Sequence, residues 1–444
     1  MTRIQEKRLV ALLLALSFAV HVLFALLTGP PNFWEHYTGT KYIEFAENIV
    51  GGRGYPEPLR TVPLYGLALS GLLWIFAHAS LPVLLLHAGF GLTTTYFTYR
   101  IGRALFSPLV GLLAGLLISL HPYLVKLTMQ IIDTGPSVAM TSVAMWLLVQ
   151  AWLSASFKPA RYALAGAAFA LATLVRPVAA VAVVLLATGT FARYLLERKP
   201  KSALAAGAAM LLAWSACMSP WWFRNYMAYG KFIPLTAHGG LNLHKGHTPY
   251  YDRVQPTYDT DDFPYTDPVA AVEHDPSGAA RSSAHSQAAY AYIRAQPVDA
   301  LVTDLRKIVW LYGWHKVPRS LVNSDPSWDS ELHRVVEAGD PRPGPQDIIY
   351  SAYWVPVLLL FLLGLALSRG RWPELVPVYL VLLANAATVA MAFADTRYRL
   401  EVDPYIVMFS AHSMVAVIRG LGIRILDHGQ RTVELPSVGK AVRR

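Results

Sequence analysis

Few polar side chains interrupt the long apolar runs of this chain, so the charged residues at the ends of those runs stand out. Asp133, in QIIDTGPSVAM (130–140), lies where an apolar helix is expected to begin, with no basic residue within four positions. Acids at such an edge tend to be functional. The plainer reading is a helix N-cap, with Asp133 or Thr134 capping ahead of Pro136, and the two readings are compatible. Glu35 is the only carboxylate between the first apolar run and a short amphipathic helix expected at 41–50. It is either a solvated loop acid or a general base or cation ligand facing the bilayer surface. Arg176, in LVRPV (174–178), sits between two apolar runs. It can snorkel to lipid headgroups, or clamp one phosphate, whose oxygens match the guanidinium fork in two hydrogen bonds. Arg397 and Arg399, in DTRYRLEVDP (395–404), offer the same chemistry, and their alternation places both on one face of an extended segment. Three arginines from separate edges make an anion site if the fold brings them together.

The elements that must do so are membrane helices. The 444 residues are 54% apolar and 15% charged, with mean hydropathy +0.37, whereas soluble chains carry about 25% charge. Runs near the spanning length of about 20 residues lie at 9–28, 81–99, 105–121, 135–155, 162–180, 180–196, 203–223, 350–367, 374–393 and 402–418. The stretch 62–79 is marginal and opens at Pro63. Charge arbitrates, because short cytoplasmic loops collect Lys and Arg. With ten crossings and the N-terminus inside, about 19 of the 38 basic and about five of the 28 acidic residues face the cytoplasm. An eleventh crossing would put Arg100/Arg103 and Lys158/Arg161 on opposite sides. The segment 62–79 is therefore expected as a juxtamembrane or re-entrant helix on the outer face, and the net charge of +10 marks topology rather than nucleic-acid binding. The first run has a basic n-region, but it is long and no convincing small-x-small site follows, which predicts an uncleaved anchor.

The expected fold class is an all-α membrane protein, a polytopic helical bundle of about ten transmembrane helices. It divides into a transmembrane module at 1–223 (outer loop 29–61, juxtamembrane helix 62–79), an extracytoplasmic segment at 224–348, C-terminal membrane helices at 349–420 and a basic cytoplasmic tail at 421–444. The extracytoplasmic segment is rich in Asp, Pro, Tyr and Ser up to about 285, which predicts ordered loop. A surface helix is expected at 288–314, where Leu301, Leu305, Ile308, Val309 and Tyr312 share a face, with Asp304, Arg306 and Lys307 mostly off it.

Several chemistries are absent from the sequence. There is no P-loop, dinucleotide fingerprint, HExxH or GxSxG motif. One cysteine, Cys217, excludes a disulfide framework and a thiolate zinc site, and its apolar surroundings predict a packed thiol. Only His238, His244 and His247 cluster among the 14 histidines, a weak metal signal in a glycine-rich stretch.

Four motifs, in order along nearly the whole chain, resemble the bacterial polytopic glycosyltransferases of the GT-C fold, the group that includes protein O-mannosyltransferases and the lipid A aminoarabinose transferase. They are YIEFAENIVGGRGYPEPLRTVPLYG (42–66), HPYLVKLTMQIIDT (121–134), ATLVRPVA (172–179) and RNYMAYGKFIPLTAHGGLNLHKGHTP (224–249); YIRAQP (292–297) and RYRLEVDPY (397–405) also fit. Each motif alone is weak, and their order and shared face carry the likeness.

The resemblance implies inverting transfer of a sugar from a polyprenyl-phosphate donor to an extracytoplasmic glycan, lipid or protein acceptor. It implies a multi-pass protein of the inner (plasma) membrane with both termini cytoplasmic and the site facing outward. No cofactor follows with certainty, though a divalent metal fits the chemistry, and no nucleic acid is implied. On this reading Glu35 and Asp133 serve as base and as cation or acceptor ligands. Arg176, Arg397 and Arg399 hold the donor phosphate, with Arg60, Asn242 and Lys245 in the same pocket. One departure stands out. Family members usually carry Asp four residues before the loop tyrosine, and four before Tyr42 is Thr38, which cannot act as a base. Two rival classes follow. One is a flippase for a lipid-linked saccharide, which would show mid-span charges and paired broken helices. The other is an inactive homologue that binds polyprenyl phosphate.

Overall fold

The computed structural model describes residues 2–28, 33–36, 40–56, 59–249, 251–255, 277–317 and 345–421. The described residues are helical, with no strand. The tail beyond 421, Thr38 and the side chain of Glu35 lie outside the described residues.

The chain opens with α1 (Arg3–Thr28), followed by α2 (Phe33–His36), α3 (Lys41–Val50) and α4 (Pro63–Phe76). The expected amphipathic turn and a half is α3, ten residues and nearly three turns long. It stops at Gly51, with Gly52 at φ 71°, a backbone state that glycine adopts without strain. The stretch 62–79 forms α4, whose 14 apolar residues are too short for a crossing.

Next come α5 (Ser80–Leu105), α6 (Pro108–Ser119), α7 (Pro122–Thr128), α8 (Thr134–Trp152), α9 (Pro159–Val175), α10 (Ala179–Leu196) and α11 (Pro200–Tyr229). The run 105–121 holds α6, and at its end the chain bends by 63° into α7. Pro122 lacks the N–H that a continuous helix would need, and His121 caps the new start, its Nδ1 accepting the Leu124 N–H at 3.1 Å.

Short helices α12 (Gly239–Gly246) and α13 (Tyr251–Val254) lead to α14 (Ala279–Ala295) and α15 (Pro297–Leu311). The single surface helix expected at 288–314 is thus two, divided where Pro297 opens α15, and part of the expected loop before 285 is helical. The orientation of α15 is also informative. Leu301, Leu305 and Val309 are exposed, while Lys307 is fully buried. The chain closes with α16 (Pro345–Leu367), α17 (Trp372–Met391), the short α18 (Thr396–Arg399) and α19 (Asp403–Gly420).

Among the described residues five helices are long and apolar enough to cross a membrane: α1, α10, α11, α16, and α17 with the turn ahead of it (Arg369–Met391); a sixth span exists if α6 and α7 count as one. These helices bury little of their surface in protein. By contrast α8 and the first half of α19 are buried almost throughout, and they carry Thr134, Ser137, Thr141, Ser142, Asp403 and Ser410. A helix surrounded by protein can carry small and polar residues that a lipid-facing helix cannot. One large apolar core joins α5, α6, α8, α9, α10, α16, α17 and α19, and a smaller one seats α3 and α4.

Candidate active site

The site is built where α8 begins, α9 ends and α19 begins. Proline at 177 disfavours helical backbone at the preceding residue, and Arg176 accordingly leaves α9 at φ −150°, ψ 126°. Its guanidinium is buried: Nη1 donates to Glu401 Oε1 at 3.1 Å, Nε lies 3.7 Å from Asp133 Oδ2, and Cζ sits 4.8 Å from the centre of the Tyr398 ring. At 7% exposure Arg176 is not a snorkelling residue.

Asp133 occupies the N-cap position of α8 but makes no capping hydrogen bond. Its carboxylate instead accepts from the Tyr42 hydroxyl and faces Arg176. Burial pushes its pKa up, but Arg176, Lys41, the Tyr42 hydrogen bond and Arg397 together outweigh burial and hold it below the usual 3.8. Glu401 responds the other way. Burial, helped by Asp133, raises its pKa above the usual 4.5 against the opposing pull of Arg176 and Ser137. Glu401 Oε2 also accepts from Thr141 Oγ1 at 3.4 Å. Two carboxylates on one guanidinium are thus driven apart, the pattern by which proteins assign different jobs to like groups. Asp133 is the outer and looser partner, its side chain 14% exposed against 5% for Glu401.

The two C-terminal arginines separate. Residues 396–399 form a helical turn rather than an extended segment, so the expected shared face does not exist. Arg397 pairs with Asp395 (Nε to Oδ2, 2.5 Å) and acts electrostatically on Asp133 and Arg176. Arg399 turns into the core and is fully buried. Its Nε donates to Asp403 Oδ1 at 2.9 Å, its Nη1 to the Leu311 carbonyl at 3.0 Å, and its Cζ lies 3.4 Å from the Trp354 ring centre. His121 Nε2 approaches the other Asp403 oxygen at 3.0 Å. Arg399 therefore ties α15, α16 and α19 together, and its donors are committed within the protein.

Lys245 is 8% exposed, with Nζ 5.6 Å from the centre of Phe393, whose ring packs edge-on at 5.4 Å against Tyr398. One aromatic layer thus joins Lys245 to Arg176. Asn242 is half-buried on the same helix, α12. Arg60 is exposed on a strip stitched to the segment after α11, where the Ala237 N–H donates to the Leu59 carbonyl at 2.9 Å.

The three clustered histidines do not converge. His244 Nδ1 meets His285 Nδ1 at 3.0 Å, whereas His247 Nε2 faces Asp304 Oδ1 at 3.2 Å. Among the described residues no group of three or more His, Cys, Asp or Glu is arranged to hold a metal ion, and both carboxylates at the site face Arg176.

Glu401, Tyr42, Lys41 and Tyr398 escaped the sequence reading as members of the site. Glu401 stands in the quoted RYRLEVDPY, two residues past Arg399, and a carboxylate between Leu and Val was its only signal. Nothing in the sequence pairs it with Arg176.

The all-helical fold is similar to that of solved oligosaccharyltransferases. The chain superposes on the Archaeoglobus fulgidus oligosaccharyltransferase in its apo form (TM-score 0.56, 14% identity, 95% of this chain and 51% of that one). It superposes equally on the archaeal oligosaccharyltransferase AglB from the same organism, solved with an inhibitory peptide and a dolichol-phosphate (0.56, 13%, 96% and 52%). The chain spans about half the length of these proteins. Residues 57–222 match the family described as dolichyl-phosphate-mannose-protein mannosyltransferase. No curated protein matches the chain.

Proposed function

We propose that this chain is a membrane glycosyltransferase that moves a sugar from a polyprenyl-phosphate donor to an extracytoplasmic glycan, lipid or protein acceptor by inverting single displacement. The observation that carries the reading is the buried Arg176, held from behind by Glu401 at 3.1 Å and from the open side by the looser Asp133 at 3.7 Å. The mannosyltransferase family match over 57–222 and a fold shared with a protein solved with dolichol-phosphate support it.

In this reaction the acceptor hydroxyl attacks the anomeric carbon as the bond from that carbon to the phosphate oxygen breaks. The hydroxyl proton passes to a carboxylate, and the phosphate leaves with growing negative charge. Arg176, with Arg397 nearby, stabilises that charge in a water-poor setting where each interaction is strong. Asp133 stays ionised at neutral pH and is the described candidate for base, with Glu35 as the second. Lys245, Asn242 and Arg60 line the approach, and holding donor and acceptor together supplies the proximity term.

The proposed setting has about ten crossings: α1, α5, α6 with α7, α8, α9, α10, α11, α16, α17 and α19. Both termini are cytoplasmic, and the site opens to the outer face of the plasma membrane. The proposed domain divisions at 223/224 and 348/349 fall near the end of α11 and the start of α16. The outward apolar stripe of α15 lies on the outer leaflet, since its buried side carries Lys307 and Thr303.

The test is mass spectrometry of lipids and envelope glycans from cells with and without the protein, complemented by wild type or Arg176→Ala. A glycan lost on deletion and restored only by wild type is the expected result, and identical profiles would reject transfer. One observation favours a second reading. Position 38 is threonine, and Asp133 is already engaged by Arg176 and Tyr42, which suits a homologue that binds polyprenyl phosphate without transferring. That reading requires lipid binding with unchanged glycans.

A further inference from the structure

His87 lies within α5, outside the Arg176 site, and is fully buried. Its Nδ1 is 2.6 Å from the Thr128 carbonyl, which can only accept, so Nδ1 carries the proton. In the neutral ring Nε2 is then the acceptor, and the Tyr65 hydroxyl, 3.0 Å away, donates to it. Both partners lead to the active carboxylate. Tyr65 packs edge-on against Tyr42, with ring centres 4.9 Å apart and an interplanar angle of 66°, and Tyr42 donates to Asp133. Thr128 ends α7, and Gly135 in the first turn of α8 is pressed against it: a Cβ there would fall 2.9 Å from Thr128 Cα. Gly66 likewise lets α4 close onto the Phe45 ring of α3, where a Cβ would meet it at 2.6 Å. One imidazole therefore fixes the support of the Tyr42 hydroxyl on one side and the turn that carries Asp133 on the other.

We infer that His87 is a positioning residue for the Arg176–Asp133 pair, acting through Tyr65 on Tyr42 and through Thr128 on the turn before Asp133. This rests on the reading of that pair as the donor-phosphate site. The hydrogen bond from Tyr42 satisfies part of the Asp133 carboxylate, which also faces Arg176, Lys41 and Arg397, with Glu401 across the guanidinium. When Tyr42 shifts, Asp133 leans harder on Arg176, and an incoming phosphate must displace a stronger rival.

The test uses the full chain in nanodiscs with undecaprenyl phosphate as the probe. Tyr65→Phe, which removes one oxygen and keeps the ring on Tyr42, should weaken binding about 3- to 10-fold, as for one hydrogen bond. His87→Leu, which also gives up the Thr128 contact, should weaken binding at least as much, and the double variant should be no worse than His87→Leu alone. His87→Gln, which keeps a donor for Thr128 and an acceptor for Tyr65, should restore binding to within about twofold, inside the scatter of hydrogen-bond energies. In an Asp133→Asn background Tyr65→Phe should have no effect, because the coupling passes through that carboxylate. Equal weakening in both backgrounds, or no weakening in either, would overturn the inference while leaving the site intact. Arg176→Ala run alongside separates the other failure: if it binds undecaprenyl phosphate like wild type, the site reading falls and the role of His87 falls with it. Should His87→Leu not fold, Tyr65→Phe and His87→Gln decide the matter.

Discussion

The Asp133 carboxylate lies 3.7 Å from the Arg176 guanidinium, although the whole of α8 and α9 intervenes in the chain. The pair is buried, and a second carboxylate, Glu401, contacts the same guanidinium from a third helix terminus. Arg176 is consequently fixed in place, and in the proposed transfer that would lower the reorganisation needed to stabilise charge in the transition state.

Arg176→Ala should lower the affinity for undecaprenyl phosphate by about 100-fold, the scale of a charge-assisted bidentate contact. Arg176→Lys should recover only part of it, since an ammonium lacks the planar fork. Titration of the purified full-length protein measures both, and unchanged affinity for Arg176→Ala would remove the clamp.

Asp133→Asn and Glu35→Gln should each reduce glycan transfer in cells by about 10²- to 10⁴-fold, the worth of a general base, with the protein still folded. The glycan profile reads the loss. If both variants support near-normal transfer, neither carboxylate is the base.

Arg399→Ala should behave differently, because Arg399 is locked to Asp403 and the Leu311 carbonyl inside the core. Removing one partner of a buried pair costs about 3–5 kcal/mol. Thermal unfolding should therefore show a large loss, and the folded fraction should retain its undecaprenyl phosphate affinity. A variant as stable as wild type but unable to bind the lipid would return Arg399 to the phosphate site.

Acid should destabilise the protein through Asp133. Burial raises its pKa, but Arg176, Lys41, the Tyr42 hydrogen bond and Arg397 hold it below 3.8. A depressed folded value means stabilisation that is complete above 3.8 and lost as pH falls through the folded value. Glu401 has the opposite sign. Its raised value favours the protonated folded form, and that contribution is lost as pH rises above 4.5 through the folded value. Melting temperature should therefore fall steeply only below about pH 4. Asp133→Asn should start lower and lose less there, and an equal acid loss in the variant would contradict the assignment.

The outward apolar face of α15 should contact lipid. With Cys217 the sole cysteine, a fluorophore at Leu305→Cys in a Cys217→Ser background should be quenched by lipid-attached quenchers in nanodiscs, and one at Arg306→Cys much less. Equal quenching at both positions would place the stripe elsewhere.

The sequence alone determined the apolar runs, and hence where helices form, because chain continuity and hydropathy are local properties. Ten of the helices fall on the ten expected runs, and the chain turns into α7 at Pro122, just past the end of the run that holds α6. The charged residues at the ends of those runs were legible for the same reason: Asp133 and Arg176 stand out against apolar neighbours. Their pairing was not, since it depends on how α8, α9 and α19 pack. That packing made Glu401 the third member of the site and turned Arg399 from a surface candidate into a core residue. It also chose between readings the sequence left open. Asp133 has the position of a helix cap, yet its carboxylate faces Arg176 and Tyr42, because in a buried site a nearby full positive charge outweighs a backbone N–H. Which groups can do chemistry is written in residue types; which of them meet is decided only when distant helix ends share one buried volume.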